Sequence, residues 1–186
     1  MPHNWLEALH NPGTATGVEG MVPARPVLQV HQPAGTLPVP EDIAEIVSPL
    51  LLSLAEILEA NTVAVVLPST LMPDHQADSR TPLLCALTEA KVQKGWKSLL
   101  VRLAPEIKRE VAARGEPVVL SRRLESSPEG GPQQLQGLAW PISFDGDDLG
   151  ALVVLGKEPI PLEDARAALI GGFGRAISAG LGVVYS

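Results

Sequence analysis

Apolar residues recur three and four apart through EDIAEIVSPLLLSLAEILEAN, residues 41–61, and this period predicts the first long helix. Ile43, Val47, Leu50, Leu54 and Ile57 make one stripe, and Ile46, Leu51 and Leu58 widen it toward a second face. Pro49 follows Ser48 inside the pattern, so either the helix bends there or a new one starts with Ser48 as its cap. The period then changes to that of a strand. Thr62 to Leu67 is a β-branched run closed by Pro68, and it reads as a buried strand. Residues 69–80 are polar and breaker-rich, which predicts a loop. The run TPLLCALT, residues 81–88, fits either a capped helix start or a central strand. From about Ser98 to Arg114 the positions Leu99, Leu100, Leu103, Ile107 and Val111 are helical, with Pro105 expected to divide the segment and Gly115 to stop it. Glu116 to Ser121 returns as a strand, and ESSPEGGPQQ, residues 125–134, reads as a surface loop.

Two apolar runs, Leu135 to Phe144 and Leu149 to Leu155, flank Asp145-Gly146-Asp147-Asp148. Asp-Gly between such runs predicts a hairpin, because the turn needs residues that accept positive φ. These acids turn the chain and stay solvated; an EF-hand loop would need further oxygen ligands and a terminal Glu at fixed spacing. A second long helix begins near Pro161, with Glu163 and Asp164 in its first turn, and its stripe runs through Leu162, Ala165, Leu169, Phe173, Ile177 and Leu181. Gly171, Gly172, Gly174, Gly180 and Gly182 lower its propensity by up to about 1 kcal/mol each, a cost that suits close approach by another helix. Gly171-Gly172-Phe173-Gly174 lies inside the helical stripe with no strand before it, so it is not read as a phosphate loop. Residues 1–40 are dense in Pro and Gly and predict an extended arm, in which Pro26 to Val30 suits an edge strand. The chain is thus divided into an arm, 1–40, and one domain, 41–186.

Composition narrows the function more than the fold. Of 186 residues 45% are hydrophobic and 19% charged, and no window holds the roughly 18 unbroken apolar residues of a membrane span. Aromatics are only 3% and the net charge is −7, so neither a stacking platform nor a basic groove for nucleic acid is supplied. The bases between Lys91 and Arg123 are interleaved with Glu106, Glu110 and Glu116, as on a solvated helix face. One cysteine, Cys85, excludes an intrachain disulfide and reads as a small buried hydrophobe, and a reducing cytoplasm is the simplest compartment. His3, His10, His31 and His75 offer no metal-ligand spacing, and no secretory leader is indicated at the N-terminus. No metal site, nucleic-acid partner, membrane partner or catalytic set is expected, and no cofactor can be named.

The residues Ala139 to Gly146 (AWPISFDG), Leu149 to Leu155 (LGALVVL) and Leu162-Glu163-Asp164 together resemble the closing half of GAF domains. Upstream, Lys108 to Val111 leading into Gly115-Glu116-Pro117-Val118-Val119 is similar to the helix that precedes the third strand in that family. The resemblance covers roughly residues 41–184 and is one of order more than of any single motif. It implies an α+β fold with a central antiparallel sheet of five or six strands flanked by helices, and long N- and C-terminal helices packed together. It also favours strand over helix for residues 82–87.

The resemblance further implies a non-enzymatic sensory or regulatory domain that dimerises through its terminal helices and takes a small molecule over one sheet face. The alternative is a structural protein–protein interaction module whose pocket is filled. Covalent bilin attachment does not fit Cys85-Ala86-Leu87, and the reductase members of the family need more than one cysteine. The candidate ligand contacts are Trp96, which either lines a cavity or anchors its helix; Arg122, which either meets an anion over the sheet or sits in a solvated turn; and Trp140, which also reads as core. Asp145, Asp147 and Asp148 are the residues of a much weaker hydrolase reading.

Overall fold

A computed structural model describes residues 39–68, 71, 83–88, 93–123 and 134–185. Among them are α1 (Glu41–Leu58), β1 (Thr62–Leu67), β2 (Leu83–Thr88), α2 (Gln93–Arg114), β3 (Val118–Arg123), β4 (Gln134–Phe144), β5 (Asp147–Leu155) and α3 (Ala165–Tyr185). The proline- and glycine-rich arm, with the edge strand expected at Pro26 to Val30, lies outside the described residues save for Val39 and Pro40. The strands form one antiparallel sheet in the order β2-β1-β5-β4-β3, the α+β arrangement expected.

Alternation along each strand builds two apolar layers. Val63, Val65, Leu67, Leu138, Ile142, Leu152 and Val154 face α1 and α3. Ala64, Val66, Ala86, Leu120, Ala139, Ala151 and Val153 face α2. All six residues of β1 are buried, because the strand is central and covered on both sides. Residues 83–88 are a strand; Cys85 pairs with Val65, and β2 is an edge of the sheet.

The helices override two local rules. α1 passes through Pro49 as one helix, with Pro49 exposed and Ile43, Val47, Leu51 and Leu54 buried. The carbonyl that Pro49 leaves without a helical donor belongs to Glu45, also exposed, where water can satisfy it. α2 likewise continues through Pro105 instead of dividing there, and it starts at Gln93, earlier than its apolar stripe suggests. Burial of Leu100, Ala104, Ile107 and Val111 against the sheet outweighs the roughly 3 kcal/mol a helical proline costs, since each large side chain contributes about 1.5–3 kcal/mol. α1 ends at Leu58, short of Asn61, with Glu59 in the left-handed conformation and Ala60 N–H donating to Ala55 O.

The β4–β5 turn has positive φ at Asp145 (53°) and Gly146 (85°), as a two-residue type I′ hairpin requires. Pairing shifts by one residue between Ile142 and Ser143, so Leu149 is the extra residue of a bulge in β5. Gly150 beside it has φ 152°, and a Cβ there would run into the Val66 carbonyl of β1.

α3 begins at Ala165, so Glu163 and Asp164 precede the helix and Asp164 caps it: its Oδ1 accepts the Arg166 N–H at 2.9 Å. By length and composition α3 could cross a membrane, but here Ala167, Ile170, Ile177 and Leu181 pack it on the sheet and α1. Its glycines receive side chains more than another helix backbone. A Cβ on Gly171 would stand 2.6 Å from Trp140 and one on Gly174 2.8 Å from it, while one on Gly180 would stand 2.6 Å from Ile46 of α1 and one on Gly182 would strike Phe144. Seating even half of a tryptophan's roughly 200 Å² contributes about 2.5 kcal/mol, which offsets about 2 kcal/mol for two helical glycines.

Gly174→Ala should therefore destabilise the protein by about 1–3 kcal/mol, despite the better helix propensity of alanine. Pro49→Ala should stabilise it by about 2 kcal/mol, because an exposed helical N–H is restored. Urea unfolding reads both, and a stabilised Gly174→Ala variant would contradict the seating of Trp140.

Candidate functional site

Two of the three expected ligand contacts, Arg122 and Trp140, lie on opposite faces of the sheet. Arg122 shares the α2-facing side of β3 with Val118 and Leu120. Its Nη1 donates to Glu106 Oε1 at 3.2 Å and its Nη2 to Glu110, which also receives Arg114 Nη2 at 3.4 Å. Two carboxylates of α2 thus already hold this guanidinium and offset its charge. Trp140 lies on the opposite face, under Gly171 and Gly174 of α3. Trp96 stands in the first turn of α2, the helix that covers the Arg122 face.

The layer between sheet and α2 is filled by apolar side chains, several of them alanine: Ala64, Ala86, Ala104, Ala139 and Ala151. Small residues let the helix approach the sheet. Among the described residues Thr62 is the buried polar one, and no three of His, Cys, Asp and Glu come together as a metal site would need. Asp145 is exposed at the hairpin turn.

A concave surface among the described residues lies elsewhere, where α1 ends, β5 ends and α3 begins. A cleft of about 300 Å³ opens there, with Leu58 and Ile160 among its apolar walls and Glu59, Asn61, Lys157 and Arg166 among its polar ones. The chain folds this way because the Thr62–Leu155 pairing and the Asn61 N–H to Leu155 O bond, 3.1 Å, bring the end of α1 beside the end of β5. The β5–α3 connection is then tied by Arg166. Its Nε and Nη2 donate to Asp164 Oδ2 at 3.0 and 2.6 Å, and its Nη1 donates to Glu158 Oε1 at 2.8 Å.

The side-chain bond from Arg166, followed by the Arg166 backbone N–H, holds the Asp164 carboxyl below its ordinary value of 3.8. Asp164 and then Glu158 raise the guanidinium in return. Sequence reading did not single out any wall of this cleft, although the spacing Asp164-x-Arg166 at a helix start was a usable sign of an arginine folded back on the cap.

No family model and no curated protein matches the sequence. Solved structures do match in fold. The GAF domain of a phosphoenolpyruvate-protein phosphotransferase from Coxiella burnetii is 18% identical, aligns over 79% of this chain and 86% of that one, and gives a TM-score of 0.55. A GAF domain/HD domain protein from Geobacter sulfurreducens is 19% identical over 77% of this chain and 93% of that one, with a TM-score of 0.52. The chain therefore has a GAF-like fold.

Because its folded pKa is depressed, Asp164 contributes stability that is present above the unfolded value and lost as pH falls through the folded one. Asp164→Asn keeps a cap acceptor but removes the charge. The variant should have a lower urea midpoint than the parent at neutral pH and the same midpoint once acid has protonated Asp164. Equal midpoints at neutral pH would show that the tie adds nothing.

Proposed function

We propose that the chain is a non-enzymatic sensory or regulatory module of GAF-like fold that acts in signal transduction as a homodimer, joined through its terminal helices, with a small molecule as its input. The observation that carries this reading is the outer face of α3. Ala165, Ala168, Ala176 and Ala179 are exposed there, with Gly172 between them, and they fall on one stripe of the helix opposite the sheet. Val183, 78% exposed, continues the stripe, and Ile57 on the neighbouring α1 is 58% exposed. A helix whose solvent side is small and apolar suits close contact with another helix, and a two-fold pair presents the same stripe from both sides. The two similar structures support a regulatory role in the same way: in each the GAF domain is named as part of a protein with another component, a phosphotransferase or an HD domain. A cytoplasmic location accords with this reading.

The filled layer under α2 favours a second reading, an interaction module without any small-molecule ligand. In that case the terminal helices contact another protein and the sheet serves only as a rigid support.

Light scattering should give twice the chain mass for the parent and a folded monomer for Ala176→Glu. The substitution adds a charge at an exposed position and so leaves the protomer intact, whereas Leu54 on α1 is fully buried and does not probe this contact. A parent that is monomeric at all concentrations would remove the dimer.

A further inference from the structure

We propose that the cleft between the end of α1, the end of β5 and the start of α3 binds a small zwitterion of amino-acid size with an apolar side chain. Three features of the cleft select this class. First, two of its charged walls, Glu59 and Lys157, do not neutralise each other, whereas the other two, Glu158 and Arg166, pair at 2.8 Å. Among the described residues the Glu59 carboxylate and the Lys157 ammonium form no ion pair, with each other or with any other group. Arg166 is already held by Asp164 and Glu158, so Lys157 is the cation of the cleft left for a ligand.

Second, the cleft lies between two helix ends of opposite polarity. The C-terminal carbonyls of α1, next to Glu59, favour a cation, while the N-terminus of α3 already holds its anion in the Asp164 cap. A ligand ammonium is thus received at Glu59, beside the α1 carbonyls, and a ligand carboxylate at Lys157. Third, Leu58 and Ile160 supply apolar wall, and a volume of about 300 Å³ accommodates one small metabolite rather than a nucleotide or tetrapyrrole. Glu59 itself holds a left-handed backbone, φ 50°, where glycine would be less strained, and so it keeps a carboxylate at the rim.

This inference rests on the fold and not on the dimer. A monomer that binds would remove the homodimer alone, and a dimer that does not bind would remove the ligand alone.

The test is a titration of the full chain with L-leucine followed by amide NMR, beside L-leucinamide, which lacks the carboxylate, and N-acetyl-L-leucine, which lacks the ammonium. L-Leucine should give saturable shifts at Ala60, Asn61 and Lys157, and each analogue should bind at least about tenfold more weakly. Lys157→Gln and Glu59→Gln, both at exposed positions, should weaken L-leucine by a similar factor without changing the rest of the spectrum. Equal binding of the three compounds, shifts confined to the α2 face, or no saturable shift at all would each overturn the proposal.

Discussion

Water reaches neither face of β1, nor of β5 from Gly150 to Leu155, and the other elements are placed by that constraint. A strand buried on both sides satisfies its backbone through its neighbours and its side chains through two separate layers, so the sheet needs helices on each face. α2 covers one face alone, resting on alanines and valines. α1 and α3 share the other, and α3 reaches the sheet only because Gly171 and Gly174 make room for Trp140. Two helical glycines are a propensity loss that would weaken an isolated helix. In the folded chain they are the seat of the largest side chain on that face.

The same constraint decides where chemistry can occur. Among the described residues the layers are packed mainly with Ala, Val, Leu and Ile, and charged side chains collect at the rims of the sheet. One rim is the Arg122 network, in which β3 is tied to α2 by Glu106 and Glu110. These contacts are half-exposed, and pairs of that kind contribute at most about 1 kcal/mol each, so they orient the edge more than they stabilise it. The other rim is the corner where α1 stops and α3 starts, and there Arg166 binds the connection to its own cap. Both rims neutralise their central arginine within the chain, and the second also keeps a carboxylate, Glu59, and an ammonium, Lys157, apart.

Much of the architecture could be read locally. The period of residues 41–58, the β-branched run from Thr62 to Leu67, Gly115 after α2 and Asp145-Gly146 between two apolar runs each carry their own instruction, because helix period, strand alternation and turn conformation are short-range properties. Where the local rules misled, a tertiary term was larger. Pro105 was a reason to divide its helix and Pro49 a reason to bend or divide one, yet each sits away from the core face and its helix is held along the whole length of its buried stripe. The glycines of α3 suggested a neighbouring helix, and Gly180 does meet Ile46 of α1, but Trp140 and Phe144 come from the sheet.

By itself, then, the sequence determined most of the elements and their order, residues 81–88 and the extent of α2 excepted, since these follow from spacing within about twenty residues. Only the tertiary structure decided which residues meet. Arg122 and Trp140 lie on neighbouring strands but on opposite faces, a matter of register that no local pattern states. The cleft is made from Leu58 to Asn61, Val154 to Glu158, Ile160 and Arg166, segments separated by nearly the whole domain. The Thr62–Leu155 pairing brings them together, and a long-range strand pair of that kind is chosen by the burial of the complete sheet.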